Sequence, residues 1–192
     1  MIYIIKSING TADVIDLDIS KMADKLKPNA PVGLDLREYL YFLPYCNSTL
    51  SRFWPDGALS CSFFSNSKET YGDINHYGSF LVLTEKAYQL LKESMDKYGE
   101  FLKLDVEGIP MVLFNPLRFV SDELQHCKKS YFEGEEVGIE SLSFDDKAAD
   151  NLIFKSKYTA GTRMYCNEEF KNLVKNAGLK GVVFDEDINN IY

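Results

Sequence analysis

Residues Thr162–Asp187, TRMYCNEEFKNLVKNAGLKGVVFDED, constrain the fold more than any other stretch. They spell strand, cap, helix, glycine stop, strand. Thr162–Cys166 is β-friendly. Asn167 is placed to cap a helix, because its side-chain oxygen can accept an N–H left unpaired in the first turn. Glu168 and Glu169 follow where the helix dipole favours negative charge. Phe170, Leu173, Val174 and Ala177 recur at i, i+3, i+4 and i+7, one buried face. Gly178 can take the left-handed conformation that ends a helix, and Gly181–Phe184 reads as the returning strand.

The same grammar occurs earlier with different residues. Phe80–Leu83 is a strand and Thr84 a cap. Glu85–Lys97 is a helix with Ala87, Leu90, Leu91 and Met95 on one face and Tyr88 beside it. Gly99 is the stop and Phe101–Val106 the next strand. Gly108 turns the chain into Ile109–Phe114, so residues 101–114 read as a hairpin, broken at Asn115-Pro116. Leu117–Asp122 is extended or mixed, Glu123–Lys129 a short helical turn, and Ile139–Phe144 and Leu152–Lys155 further strands.

The N-terminal stretch is less regular. Met1–Ser7 and Val14–Asp18 read as strands, joined as a hairpin across Asn9-Gly10. Lys21–Lys27 is one or two helical turns. Leu34–Tyr45 is helix or strand and stops at Pro44. Trp54 reads as a core anchor, with an exposed binding aromatic as the alternative. Ala58–Phe64 is a strand and Ser65–Gly78 a loop. The expected class is α+β: a mainly antiparallel, mixed sheet with two principal helices, about 85–97 and 168–177. A length of 192 residues fits a single domain, residues 1–192. Within it, residues 1–78 are the less regular segment and residues 79–192 the cleaner one.

Chemistry is sparse. Two histidines, His76 and His126, lack partners at metal-ligand spacing. Cys46, Cys61, Cys127 and Cys166 show no CxxC spacing and read as reduced thiols, with Cys61 and Cys166 in strands. There is no phosphate-binding glycine loop; Gly134–Gly138 reads as a turn whose carboxylates would repel phosphate. Carboxylate clusters lie in turns or at strand ends, where solvation is the default. No cofactor, no metal and no catalytic residue is expected. A net charge of −8 argues against nucleic acid as a ligand, since phosphate neutralisation needs clustered Lys and Arg. It suits solubility, or a basic protein partner. The opening MIYII lacks a basic flank and no apolar run approaches a membrane span, so a cytoplasmic protein is expected.

The acidic charge is concentrated. Tyr131–Asp150 holds seven Asp or Glu against one Lys. This window is either an exposed, solvated edge or a docking surface, with Tyr131, Phe132, Ile139 and Phe144 interleaved as apolar anchors in a charged rim. The candidate partner-binding residues are Tyr131, Phe132, Glu133, Glu135, Glu136, Asp145 and Asp146, with Asp185, Glu186 and Asp187 at the exit of the last strand.

Over residues 80–187 the chain resembles the C-terminal region of a family of bacterial immunity proteins from polymorphic toxin systems. The resemblance rests on FLVLTEKAYQLLKESMDKYGEFLKL, VLFNPLRFVSDEL, LIFKS and RMYCNEEFKNLVKNAGLKGVVFDE. Leu113-Phe114-Asn115, Asp122 and Ser130 fall on the family's middle segment. Phe170, Ala177, Gly178, Leu179, Gly181 and Phe184 fall on its closing one. Ser121-Asp122-Glu123-Leu124 departs from the pattern by keeping one Asp where the family tends to show two. The resemblance implies a cytosolic protein that binds and neutralises a cognate toxin without catalysis of its own. It supplies no toxin-contact residues. The alternatives are a small enzyme with a cryptic Cys/carboxylate site, or an adaptor module that oligomerises through aromatic edges.

Overall fold

The computed structural model describes residues 1–8, 13–65 and 67–189. The elements, in chain order, are β1 (Ile2–Ser7), β2 (Ile15–Asp16), α1 (Ile19–Leu26), α2 (Leu36–Cys46), β3 (Leu59–Phe63), β4 (Ile74–Tyr77), β5 (Phe80–Thr84), α3 (Glu85–Met95), β6 (Gly99–Val106), β7 (Ile109–Pro116), β8 (Phe119–Val120), β9 (Lys128–Phe132), β10 (Glu135–Ser141), β11 (Ile153–Ser156), β12 (Met164–Asn167), α4 (Glu168–Asn176) and β13 (Val182–Asp185). The fold is α+β, as expected.

The strands form two large sheets rather than one. One sheet has the order β2-β3-β6-β7-β5-β4, the other β13-β1-β12-β11-β8. Pairing is antiparallel except for β3 with β6 and β8 with β11. The expected hairpin of the first two strands does not form: β1 pairs with β12 and β13, whereas β2 pairs with β3 in the other sheet. The Asn9-Gly10 turn itself lies outside the described residues. Strands from either side of residue 78 mix in both sheets, so residue 78 marks no seam.

Among the described residues four α-helices form, the two expected as principal and, besides them, α1 and α2. Leu36–Cys46 resolves the helix-or-strand ambiguity. Asp35 accepts hydrogen bonds from the N–H groups of Arg37 and Glu38, and this cap selects helix over strand. Pro44 does not end it. The helix runs on to Cys46 and stops at Asn47, which is left-handed at φ 54°. In α3 Leu90 is exposed while Ala87, Leu91 and Met95 are buried. The stretch expected as a loop, 65–78, contains β4, because Ile74–Tyr77 finds β5 as an edge partner. The strand expected at 139–144 instead occupies 135–141.

Three apolar clusters hold these layers. One packs α1 and α2 on the first sheet, with Met22, Leu26, Leu40, Phe53 and Leu104 buried. Trp54 belongs to it and donates from its indole N–H to the Lys103 carbonyl at 2.8 Å. The second lies between the sheets and takes in α3 and α4. The third covers the outer face of the second sheet, where Ile4, Phe154 and Tyr165 meet Leu142 and Ala148. Along β5, Leu81 and Leu83 enter the inter-sheet cluster and Val82 enters the first, so the strand is apolar on both faces.

The unit around α4 forms as expected. Asn167 accepts from the Phe170 N–H at 3.0 Å, and in the earlier unit Thr84 accepts from the Ala87 N–H at 3.3 Å. Gly178 is left-handed at φ 62°. Gly181 has a second role: at φ 119° a Cβ there would sit 2.0 Å from the Ile74 carbonyl oxygen. Close backbone approach joins β4 of the first sheet to the start of β13 in the second.

Candidate interaction surface

Strands β9 and β10 pair only with each other and belong to neither large sheet. Phe132 pairs with Glu135 across a two-residue loop, Glu133-Gly134, whose φ values are 49° and 87°. Two successive positive φ values mark the type I′ turn that matches strand twist. Residues 128–141 are therefore a hairpin arm. The expected 134–138 turn is this loop followed by strand.

The arm is fastened at its base. Lys129 Nζ donates to the Tyr158 carbonyl at 3.1 Å, lies 4.7 Å from the Tyr158 ring centre, and pairs with Glu136 at 2.7 Å. The Ser141 hydroxyl donates to the His126 carbonyl at 3.0 Å. Ile139 packs on the outer cluster. Toward the tip these ties end. Tyr131 is 62% exposed, Phe132 65% and Val137 55%. A two-stranded hairpin gains little by itself in water, so three exposed apolar side chains on one are a cost that packing within the chain does not explain.

Register divides these residues between faces. Tyr131 pairs with Glu136 and Lys129 with Ile139, on the face toward Tyr158; Phe132 pairs with Glu135 on the opposite face. The two aromatic anchors therefore point apart. The register shift between Glu136 and Gly138 makes Val137 a bulge.

The other candidates are dispersed around this arm. Ile139 and Phe144 are partly buried in the outer cluster, which removes them from the interleaved anchors. Phe144 stacks edge-on against Phe154 and Tyr165. Asp145 flanks a short 3-10 turn, Asp146–Asp150, and Asp146 is exposed. Asp185 pairs with Lys6 at 2.8 Å, and Glu186 with Lys171 at 3.7 Å. Asp187 accepts from the Asn189 N–H, and the Asn189 side chain accepts from the Leu142 N–H at 2.6 Å. That last bond brings the exit of β13 beside the base of the arm. Lys129 and Tyr158 lie outside the acidic window and are not legible as members of this surface; the Lys129 side chain joins them to it.

Three of the four thiols, Cys61, Cys127 and Cys166, are buried and are poor nucleophiles, whereas Cys46 is exposed. Burial pushes Cys61 up to about 11, and raises Cys166 and Cys127 as well. All three keep their protons at neutral pH. Burial, followed by the nearby Arg163 charge, lowers His76. Among the described residues no group of three His, Cys, Asp or Glu is placed to hold a metal, and no helix is long and apolar enough to cross a membrane. A scan against protein-family models finds no match to the chain, and a search of curated proteins finds none.

Proposed function

We propose that this chain is a binding protein of the immunity type: it neutralises a partner protein by masking it, and the β9–β10 arm is its principal contact. The supporting observation is the arm itself, an isolated hairpin that exposes Tyr131, Phe132 and Val137 beside Glu133, Glu135 and Glu136. Apolar anchors within a charged rim are the anatomy of protein interfaces. The acidic tip selects a basic partner and speeds encounter with it. A toxin that handles nucleic acid or nucleotides in the cytoplasm has such a surface. Because Tyr131 and Phe132 lie on opposite faces, the arm suits a cleft with two walls better than a flat surface. The sequence resemblance points the same way.

The test is co-expression with the C-terminal domain of the protein encoded by the neighbouring gene. The expected results are rescue of growth and a complex that co-purifies at equal stoichiometry. Replacement of residues 131–137 by a plain two-residue turn abolishes both while the rest of the chain stays folded. Rescue that survives loss of the arm would move the interface elsewhere; no rescue and no complex with the intact chain would remove the immunity reading.

A further inference from the structure

A second surface lies on the first sheet, away from the arm. Helices α1 and α2 and the β4–β5 turn enclose a half-open apolar groove of about 460 Å³. Leu17, Met22, Leu40 and Phe80 form its buried floor, and Tyr41 and Ile19 stand at its edge, 68% and 44% exposed. Tyr77 forms a wall and is fixed there, because its hydroxyl donates to the Leu17 carbonyl. Among the described residues, those lining the groove include two carboxylates, Asp13 and Asp18, and no Lys or Arg.

The groove continues onto a ridge. Tyr41, Phe42 and Tyr45 on α2 are all exposed, and the Tyr41 and Phe42 rings meet edge-to-face at 5.0 Å. A pocket for a small molecule alone does not account for three aromatic rings laid out beyond its mouth. An apolar floor, acidic lining residues and aromatic faces together describe one chemistry: a cation on an apolar stem, set over Tyr rings.

We infer that this groove docks an amphipathic segment of a protein partner, with an arginine or lysine stem in the groove and apolar side chains against Tyr41, Phe42 and Tyr45. The site is independent of the arm: it is built on the first sheet with α1 and α2, and shares no residue with β9 or β10. The negative field there is also felt by Tyr77, whose hydroxyl burial and the carboxylates of Asp13 and Asp18 hold well above the usual range.

The experiment uses the full chain labelled with 15N and a capped ten-residue peptide alternating leucine and arginine pairs. Two counterparts carry glutamine or glutamate in place of every arginine. The arginine peptide is expected to shift the amides of Ile19, Met22, Tyr41 and Phe80. The glutamine peptide binds at least fivefold more weakly, and the glutamate peptide does not bind. Asp18→Asn keeps an acceptor for the Lys21 N–H and so preserves the cap of α1, while it removes the charge. Asp18→Asn and Asp13→Asn each weaken the arginine peptide at least threefold, and Tyr41→Ser does the same with an unchanged melting temperature. Glu133→Gln on the arm leaves this affinity unchanged. Equal binding of the arginine and glutamine peptides, indifference to both aspartate substitutions, or shifts confined to the arm would overturn the inference. The last result would leave the arm reading standing.

Discussion

The side-chain nitrogen of Lys155 lies 3.2 Å from the carbonyl oxygen of Pro44. Lys155 is on β11, fully buried in the second sheet, and Pro44 is in the last turn of α2, which packs on the first. The last carbonyls of a helix lack partners and carry its negative pole, so the ammonium caps α2 from another layer. Around it Gly161 packs so tightly that a Cβ would meet the same oxygen at 2.1 Å. Asn47 donates to the Leu117 carbonyl, and Asn115 to Ser48 and to Glu100 at 3.1 and 2.7 Å. The end of α2 is thus held by contacts with the second half of the chain.

This contact is costly as well as specific. Desolvation pulls the Lys155 amine down to about 8. The unfolded chain carries that charge in water up to pH 10.5, so below pH 8 folding must bury an ammonium. The penalty fades as pH rises from 8 toward 10.5. Lys155→Met is expected to raise stability at pH 7 by roughly 1–3 kcal/mol, given about 1.4 kcal/mol per pKa unit less the lost hydrogen bond. The gain over the parent should shrink when urea unfolding is repeated at pH 10. A gain that does not change with pH would mean that the amine is solvated.

The two glycines that bracket Leu179-Lys180 should respond differently to alanine. Gly178 has the left-handed φ but nothing within 4 Å of an added Cβ, whereas Gly181 faces the Ile74 carbonyl. Gly178→Ala should cost about 1 kcal/mol, the left-handed penalty alone. Gly181→Ala should cost about 3 kcal/mol or more, because β4 and β13 must separate. Urea midpoints of both variants measure the difference, and equal costs would contradict the close approach.

Asn167 and Thr84 both cap helices; the Thr84 hydroxyl adds only a long 3.4 Å bond to the Asp73 carbonyl, whereas Asn167 carries a closer one. Its amide donates to the Ala149 carbonyl at 2.9 Å. Thr84→Ala should cost about 1 kcal/mol. Asn167→Ala should cost about 2 kcal/mol, since it also leaves the partly buried Ala149 carbonyl unpaired. Asn167→Ser, which keeps the cap acceptor, should recover about half of that loss in thermal melts.

On the arm, Glu133→Lys with Glu135→Lys is expected to slow association with the partner at least tenfold at low salt. Both residues are exposed, so stability should move by no more than about 0.5 kcal/mol. Stopped-flow association at several salt concentrations tests this, because the effect of steering shrinks with ionic strength. An unchanged association rate at low salt would exclude the acidic tip from the encounter.

How much was legible depended on distance along the chain. The β5-α3 and β12-α4 units were readable because a cap, an apolar face and a glycine stop act between near neighbours in sequence. Leu34–Tyr45 resisted because it is apolar on more faces than one core requires. The structure gives the reason: Leu36, Leu40 and Leu43 pack inward while Tyr41, Phe42 and Tyr45 stay outside. In the sequence the candidate surface is the window 131–150 together with Asp185, Glu186 and Asp187. Pairing then cut that window into an exposed arm and a covering segment whose Phe144 is core.

The sequence alone determined the elements with local signals: the capped helices, the tight glycine turns, and an acidic surplus concentrated in one window. Tertiary structure decided the partners of β1 and β2, the division into two sheets, the burial of Lys155 against Pro44, and the isolation of the arm. The physical reason is one of range. Caps and periodicity are satisfied between neighbours in sequence. Strand partners and buried charges are settled by contacts such as Ile2 with Asn167, which the sequence separates and only the assembled core brings together.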